Sequence, residues 1–233
     1  MFDRIAPRYD LLNRVLSAGI DVRWRKAAVD ALRLALGEEA RILDLCTGTA
    51  DLLIEVLARS PHRHGIGVDL SSQMLTRGTA KLERQGLCSR AALASGDGER
   101  LPLKSAVFDG ALVSFGIRNI GRVDLALAEL HRALKPGGRV VILEFSMPRG
   151  VMGSLYRLYF GQVLPRIGGL VSGDPSAYAY LPASVERFLA PLELGELMRA
   201  AGFGTVCWRA LTGGIAYLHM GDKPPARAGE RAA

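Results

Sequence analysis

The chain has 233 residues, 49% of them hydrophobic and 23% charged, with a formal net charge of +7. That length suits one domain and can bury a real core, and the balance of residues excludes both a long multidomain array and a disordered chain. The three cysteines, Cys46, Cys88 and Cys207, lie far apart with no C-x-x-C pair, which argues against a disulfide framework or a cysteine zinc site.

Trp24, Ala28, Leu32 and Leu36 recur at helical spacing and predict a helix over 22–36, stopped by Gly37. The short apolar run RILDL (41–45) reads as a buried strand. After the loop CTGTAD, Leu52, Leu53, Val56 and Leu57 mark a second helix. GIGVDL (65–70) is a second strand. Ser71 or Ser72 can cap the next helix, whose one face carries Met74, Leu75, Gly78 and Leu82. Strands are predicted over 91–95 and 108–114. A helix bearing Leu127, Leu130 and Leu134 runs to the stop signal Lys135-Pro136-Gly137-Gly138, and RVVILEF (139–145) is the fifth strand. Strands separated mostly by helices imply a doubly wound, mostly parallel sheet.

The pattern breaks over 147–187, which is rich in Tyr, Gly and Pro. A helix resumes near 192–201, and runs at 205–211 and 215–220 flank Thr212-Gly213-Gly214 as a C-terminal β-hairpin. The expected organisation is one domain over 1–223, with 147–187 as a substrate-lid insertion and 224–233 as a disordered tail. No stretch reads as a spanning helix: the most apolar, 151–171, is broken by Arg157, Pro165, Arg166 and four glycines. MFDRIAPRYDLL at the start has no apolar signal core. A soluble cytoplasmic protein is expected, in peripheral contact with the inner face of a membrane. The basic residues form no stripe interleaved with aromatics, so no nucleic-acid partner is expected.

Ligands of open α/β sheets bind at the carboxyl ends of the strands. Those ends are acidic here: Asp44 at the end of strand one, Asp69 at the end of strand two, Asp97 just past strand three. Gly48 precedes Asp69 by close to the spacing, about 20 residues, at which an acid grips ribose hydroxyls. The first loop has one glycine and a carboxylate at each end, so a pyrophosphate would meet repulsion. A cationic nucleoside without phosphate, such as S-adenosylmethionine, suits it better. Asp44 can face its ammonium, Gly48 lets backbone approach, and Thr49 with the helix N-terminus can meet its carboxylate. Each aspartate also has a plain structural reading, such as a helix cap at Asp51. No convincing metal-ligand cluster is seen.

LDLCTGTAD, GVDLSSQML, GDGERLP, SFGIRN and LKPGGRVVILEFSMP resemble successive motifs of class I S-adenosylmethionine methyltransferases. With MFDRIAPRYDLLNRVLSAGID, YLPASVERF and LTGGIAYLHMGDK, they are similar to the quinone-biosynthesis C-methyltransferases, the UbiE/MenG family. The resemblance implies a seven-stranded Rossmann-like sheet and cofactor contacts at Asp44, Gly48, Thr49, Asp69, Asp97, Gly98 and Ser114. Cys46 and Ala50 depart from it, standing where the wider superfamily often has glycine. It also implies a polyprenylated quinol acceptor, demethylmenaquinol first and the methoxy-benzoquinol precursor of ubiquinone second. The alternatives are a methyltransferase for another phenolic or lipid small molecule and a non-enzymatic scaffold.

Methylating a ring carbon requires a neighbouring hydroxyl to lose its proton. Arg118 is the candidate that stabilises the phenolate; the competing reading is that it pairs with a carboxylate and only braces its loop. Candidate substrate contacts are Asn119, Tyr159, Phe160, Tyr178, Tyr180 and His219, although a histidine in the apolar AYLHM run reads more readily as core. Apolar and aromatic residues of 147–187 would line a path for the prenyl tail; the plainer reading is a lid packed on the sheet.

Overall fold

The computed structural model describes residues 17, 19–33, 37–148, 150, 153, 156 and 176–226, of which 33 and 176–179 are described by their backbone alone. In chain order the elements are α1 (Ile20–Arg33), β1 (Arg41–Leu45), α2 (Asp51–Leu57), β2 (His64–Asp69), α3 (Ser72–Arg84), β3 (Ala91–Ser95) and β4 (Phe108–Ser114). They continue with a short 3₁₀ turn (Ile117–Asn119), α4 (Val123–Ala133), β5 (Leu134–Phe145), α5 (Ser176–Arg187), α6 (Pro191–Ala200), β6 (Thr205–Leu211) and β7 (Ala216–Asp222).

One seven-stranded sheet runs in the order β3-β2-β1-β4-β5-β7-β6. β1 to β5 are parallel, and β7 is antiparallel to both β5 and β6. This is the doubly wound, mostly parallel architecture with a C-terminal hairpin that the alternating pattern predicts. The order of the strands reverses at β1, with β2 and β3 added on one side and β4 and β5 on the other, so the carboxyl ends of the neighbouring strands β2, β1 and β4 border one crevice.

Period-two alternation sorts the core. Ile42, Leu112, Val141, Leu143 and Leu218 share one cluster with Trp24, Ala28 and Leu32 of α1. Leu43, Leu45, Val113, Val140 and Ile142 pack with Leu127 and Leu130 of α4 and Leu194 and Met198 of α6. Two covered faces explain why the centres of RILDL and RVVILEF, Ile42-Leu43 and Val140 to Leu143, are continuous apolar runs rather than alternating ones. Leu36 and the tail from residue 227 lie outside the described residues. Ser71, rather than Ser72, caps α3, its hydroxyl accepting from the Met74 N–H at 3.2 Å. Lys135 to Gly138 does more than stop α4: β5 begins at Leu134, pairs with Phe108, and bulges before resuming at Gly110 and Arg139.

None of the three cysteines is in a disulfide. Among the described residues no helix is long and apolar enough to cross a membrane, and no group of three or more His, Cys, Asp or Glu could hold a metal.

α6 lies close on the hairpin because Gly195 has no side chain; a Cβ there would lie 2.6 Å from Trp208 Cζ3. Gly195→Ala should therefore cost about 1–3 kcal/mol through overpacking, while Glu196→Ala on the exposed side of the same helix should be near neutral. Thermal unfolding checks this, at roughly 2–4 °C per kcal/mol for a chain of this size.

Candidate active site

The loop Cys46–Ala50 joins β1 to α2, and backbone geometry makes it a tight cradle. Cys46, Gly48 and Ala50 have φ of 57°, 54° and 65°. Glycine adopts such angles freely, whereas Cys46 and Ala50 carry strain on the order of 1–3 kcal/mol each. The Thr47 N–H donates to the carbonyl of Val68 at 3.1 Å, pulling the loop across the end of β2. The Gly48 N–H donates to Asp69 Oδ2 at 2.8 Å, and the Ser71 N–H to Asp69 Oδ1 at 2.9 Å. Asp69 thus ties the loop after β1 to the start of α3.

Asp44 is 1% exposed. Its carboxylate accepts from the Thr47 hydroxyl at 2.6 Å. Burial pushes its pKa up to about 7, and the Thr47 and Leu53 hydrogen bonds only partly offset this. Burial also raises the Cys46 thiol well above the usual range, so it is an inert small group rather than a nucleophile. The Thr49 hydroxyl accepts from Lys81 Nζ at 2.8 Å, so the loop backbone is what this position presents. Lys81 also pairs with Asp51 at 2.6 Å, and Arg25 lies 3.6 Å from the same carboxylate. With Asp51 paired and Asp44 buried, the loop carries less free negative charge than its sequence implies, which weakens the argument from repulsion against a pyrophosphate.

Beyond β3, Asp97 is exposed and turns back on itself, accepting from the Glu99 N–H at 2.9 Å. Gly98 is buried; a Cβ there would lie 2.9 Å from Ile120 Cδ1 and 3.4 Å from Leu45 Cδ1, so only glycine lets this backbone sit against the end of β1. Ser114 ends β4 opposite Leu143. Phe115 follows at φ 55°, a strained angle for a bulky aromatic. Its ring stacks on Phe145 at 4.3 Å and lies 6.0 Å from Trp24.

Arg118 stands in the 3₁₀ turn. Its Nη1 donates to Glu144 Oε1 and to the Phe115 carbonyl, both at 2.6 Å, and its Nε donates to Ser184 Oγ at 3.3 Å. The guanidinium also sits over the Phe145 ring at 5.4 Å. This is the bracing geometry of the competing reading. Only Nη2 is left without a hydrogen bond among the described residues. Asn119 Oδ1 accepts from the Tyr180 hydroxyl at 2.7 Å, so α5 is fastened to the same turn at two points.

The structure thus brings Asp44, Gly48, Thr49, Asp69, Gly98, Ser114, Arg118, Asn119 and Tyr180 to the carboxyl ends of the strands, with Asp97 at the rim. His219 does not join them. It lies in mid-strand opposite Ile142, is 2% exposed, stacks on Trp208 at 5.8 Å and contacts the Pro191 carbonyl through Nε2 at 2.9 Å. Burial lowers its pKa, so it is a neutral core residue rather than a substrate contact. Tyr159 and Phe160 fall outside the described residues, and the side chain of Tyr178 is not described.

Three members of the site are absent from the sequence reading. Thr47 was signalled by its place three residues after Asp44. Glu144 was signalled as the lone acid in RVVILEF. Lys81 had no local signal, since only the packing of α3 on the loop brings it there.

Residues 1–223 match the model of the ubiE/COQ5 methyltransferase family. The chain is 49% identical over 226 residues to the demethylmenaquinone methyltransferase of Thermus thermophilus, covering 96% of this chain and 100% of that one. It is 50% identical over 223 residues to the ubiquinone/menaquinone biosynthesis C-methyltransferase UbiE of Syntrophotalea carbinolica, covering 95% and 92%. Among solved structures it is similar to the [4+2]-cyclase SpnF, with a TM-score of 0.73, 18% identity, and 97% and 95% of the two chains covered. At that identity the likeness concerns the fold alone.

The buried Asp44 has a stability consequence. Its folded pKa of about 7 lies above the 3.8 of the free group. The contribution is therefore fully present below pH 3.8, is lost as pH rises to about 7, and is flat above. Asp44→Asn keeps an acceptor for Thr47 and removes the titration. Its stability gain over the parent should grow with pH across that window, to a few kcal/mol on the scale of about 1.4 per unit. Denaturant melts of both proteins at pH 5, 6, 7 and 8 measure this; a pH-independent difference would contradict the assignment.

Proposed function

The chain belongs to the ubiE/COQ5 methyltransferase family, and from that premise we propose that it transfers a methyl group from S-adenosylmethionine to a ring carbon of a prenylated quinol, with demethylmenaquinol as the acceptor. The observation that carries this reading is the pairing of a buried Asp44 with an Asp69 held by two backbone N–H groups, on adjacent strand ends. No phosphate-binding loop accompanies them.

The residues present fit the cofactor. A cation beside Asp44 ionises a carboxyl that burial holds near neutrality. Each Asp69 oxygen accepts one backbone N–H and keeps a lone pair for a ribose hydroxyl. Gly98 lets the backbone after β3 pack against Ile120 and the end of β1, which places the exposed Asp97 next to it within reach of a purine amino group. When bound, S-adenosylmethionine supplies an electrophilic methyl on its sulfonium. The rest is positioning, which accounts for much of the acceleration of a displacement.

Arg118 donates to the quinol oxygen through Nη2 and stabilises the phenolate as the hydroxyl proton leaves to water; once the ring carbon is methylated, the hydrogen it carried also leaves to water as a proton and the aromatic ring is restored. Glu144 takes up part of the guanidinium charge, so Arg118 acts as a directed donor rather than as a free cation. Tyr180 and Asn119 border the acceptor through the turn they share. The prenyl tail runs into 147–187 and brings that segment to a membrane surface, where its arginines meet anionic head groups.

Four measurements test the reading. Given both reduced quinols and labelled cofactor, the protein should methylate demethylmenaquinol; a protein that binds cofactor and turns over neither quinol rules the activity out. Cofactor affinity should fall by up to about tenfold per pH unit as pH drops from 7 toward 5, because binding selects ionised Asp44; calorimetry in buffers of different ionisation enthalpy reads the released proton. Asp69→Ala should cost a few kcal/mol of cofactor binding. Arg118→Met should lower kcat by about 10²-fold with cofactor affinity nearly unchanged. It strands Glu144, so rates must be counted per cofactor-binding molecule.

A further inference from the structure

We propose that Glu144 is a positioning residue for methyl transfer, holding the Phe115–Asn119 turn in its left-handed form through Arg118. The inference rests on the quinol-methylation reading for its activity arm alone.

Glu144 is 2% exposed, at the carboxyl end of a strand in which the four residues before it, Val140 to Leu143, are apolar and buried. A buried carboxylate is costly unless fully paired, and a well-packed apolar residue would often serve stability as well or better. Its bonds therefore indicate what it is for, and two of the three come from Arg118 in one short turn. Oε1 accepts from Arg118 Nη1 at 2.6 Å and from the Phe145 N–H at 2.8 Å, and Oε2 accepts from the Arg118 N–H at 3.3 Å.

Arg118 passes this hold to the strained residue. The same Nη1 grips the Phe115 carbonyl, while the Phe115 N–H stays in the ladder, donating to the Leu143 carbonyl at 2.8 Å. Phe115 is thus fixed on both sides of the bond that carries its positive φ. The next residue, Gly116, lies so close to Cys46 that a Cβ would overlap the Cys46 Cβ. The turn is therefore wedged between the cofactor loop on one side and the Glu144–Arg118 pair on the other. α5 reaches the same five residues through Ser184 and Tyr180. A turn in an unfavoured conformation persists only where its surroundings over-determine it, and such turns gather where placement matters. Without the carboxylate, Arg118 loses its fixed point, Phe115 relaxes toward negative φ, and the groups following Ser114 shift relative to the methyl. Misplacement of about 1 Å is enough to cost roughly 10²-fold in rate.

The test uses Glu144→Gln, which keeps shape and one acceptor oxygen, and Glu144→Asp, which keeps the charge. The Gln variant should bind cofactor within about twofold of the parent, leave KM for the quinol nearly unchanged, and lose kcat by roughly 10- to 100-fold. The Asp variant should recover part of that loss. Amide hydrogen exchange in the full-length protein supplies an arm independent of activity: amides of 115–119 should exchange about tenfold faster or more in the Gln variant, while β1 and β4 amides stay protected. Unchanged kcat per cofactor-binding molecule, or faster exchange spread over the whole sheet, would overturn the proposal and leave Glu144 as a stability residue. If the parent protein turns over no quinol, the functional reading fails, and the exchange arm still decides whether the clamp exists.

Discussion

Two backbone N–H groups from different parts of the chain, those of Gly48 and Ser71, meet on the single carboxylate of Asp69, and the rest of the site depends on that convergence. An ionised acceptor with two amide donors is among the stronger hydrogen-bonded arrangements available to a loop. It sets where the chain leaves β1 relative to where it leaves β2. It also allows Cys46 and Ala50 to remain left-handed, since a loop tied at its centre cannot relax from its ends. The Thr47 hydroxyl then reaches Asp44, and α2 starts with its first turn against the same buried carboxyl.

Strain is distributed with the same logic. Among the described residues, five that are not glycine have positive φ, and three of them, Cys46, Ala50 and Phe115, flank the crevice. Each is over-determined: Cys46 by contact with Gly116, Ala50 by the bond of its N–H to the Thr47 carbonyl at 2.9 Å, and Phe115 by Arg118 and the β5 ladder. The sheet, with apolar residues buried on both faces, supplies the rigidity against which those conformations are held. The loop after β1 and the turn after β4 therefore touch directly, through Cys46 and Gly116.

Part of the charge near the crevice is compensated. Lys81 and Arg25 neutralise Asp51, burial suppresses ionisation of Asp44, and Glu144 compensates Arg118. The likeness to a cyclase in fold shows why such details matter: the same architecture serves different reactions, and the residues at the strand ends decide which.

The sequence by itself determined the sheet, because its information is periodic and local. Continuous apolar runs mark doubly covered strands, and Trp24, Ala28 and Leu32 at helical spacing mark the helix that covers them. It also placed acids at the carboxyl ends of β1 and β2 and just past β3, which connectivity alone carries to one edge. Tertiary structure decided what those groups are doing. That Asp69 is held by Gly48, that Thr49 faces Lys81, and that Arg118 is clamped by Glu144 are contacts between residues 21, 32 and 26 positions apart. No periodicity encodes such pairings. His219 shows the same division: its residue type invited a chemical role, and its register opposite Ile142 with a neighbour at Pro191 put it in the core, where burial keeps the ring neutral.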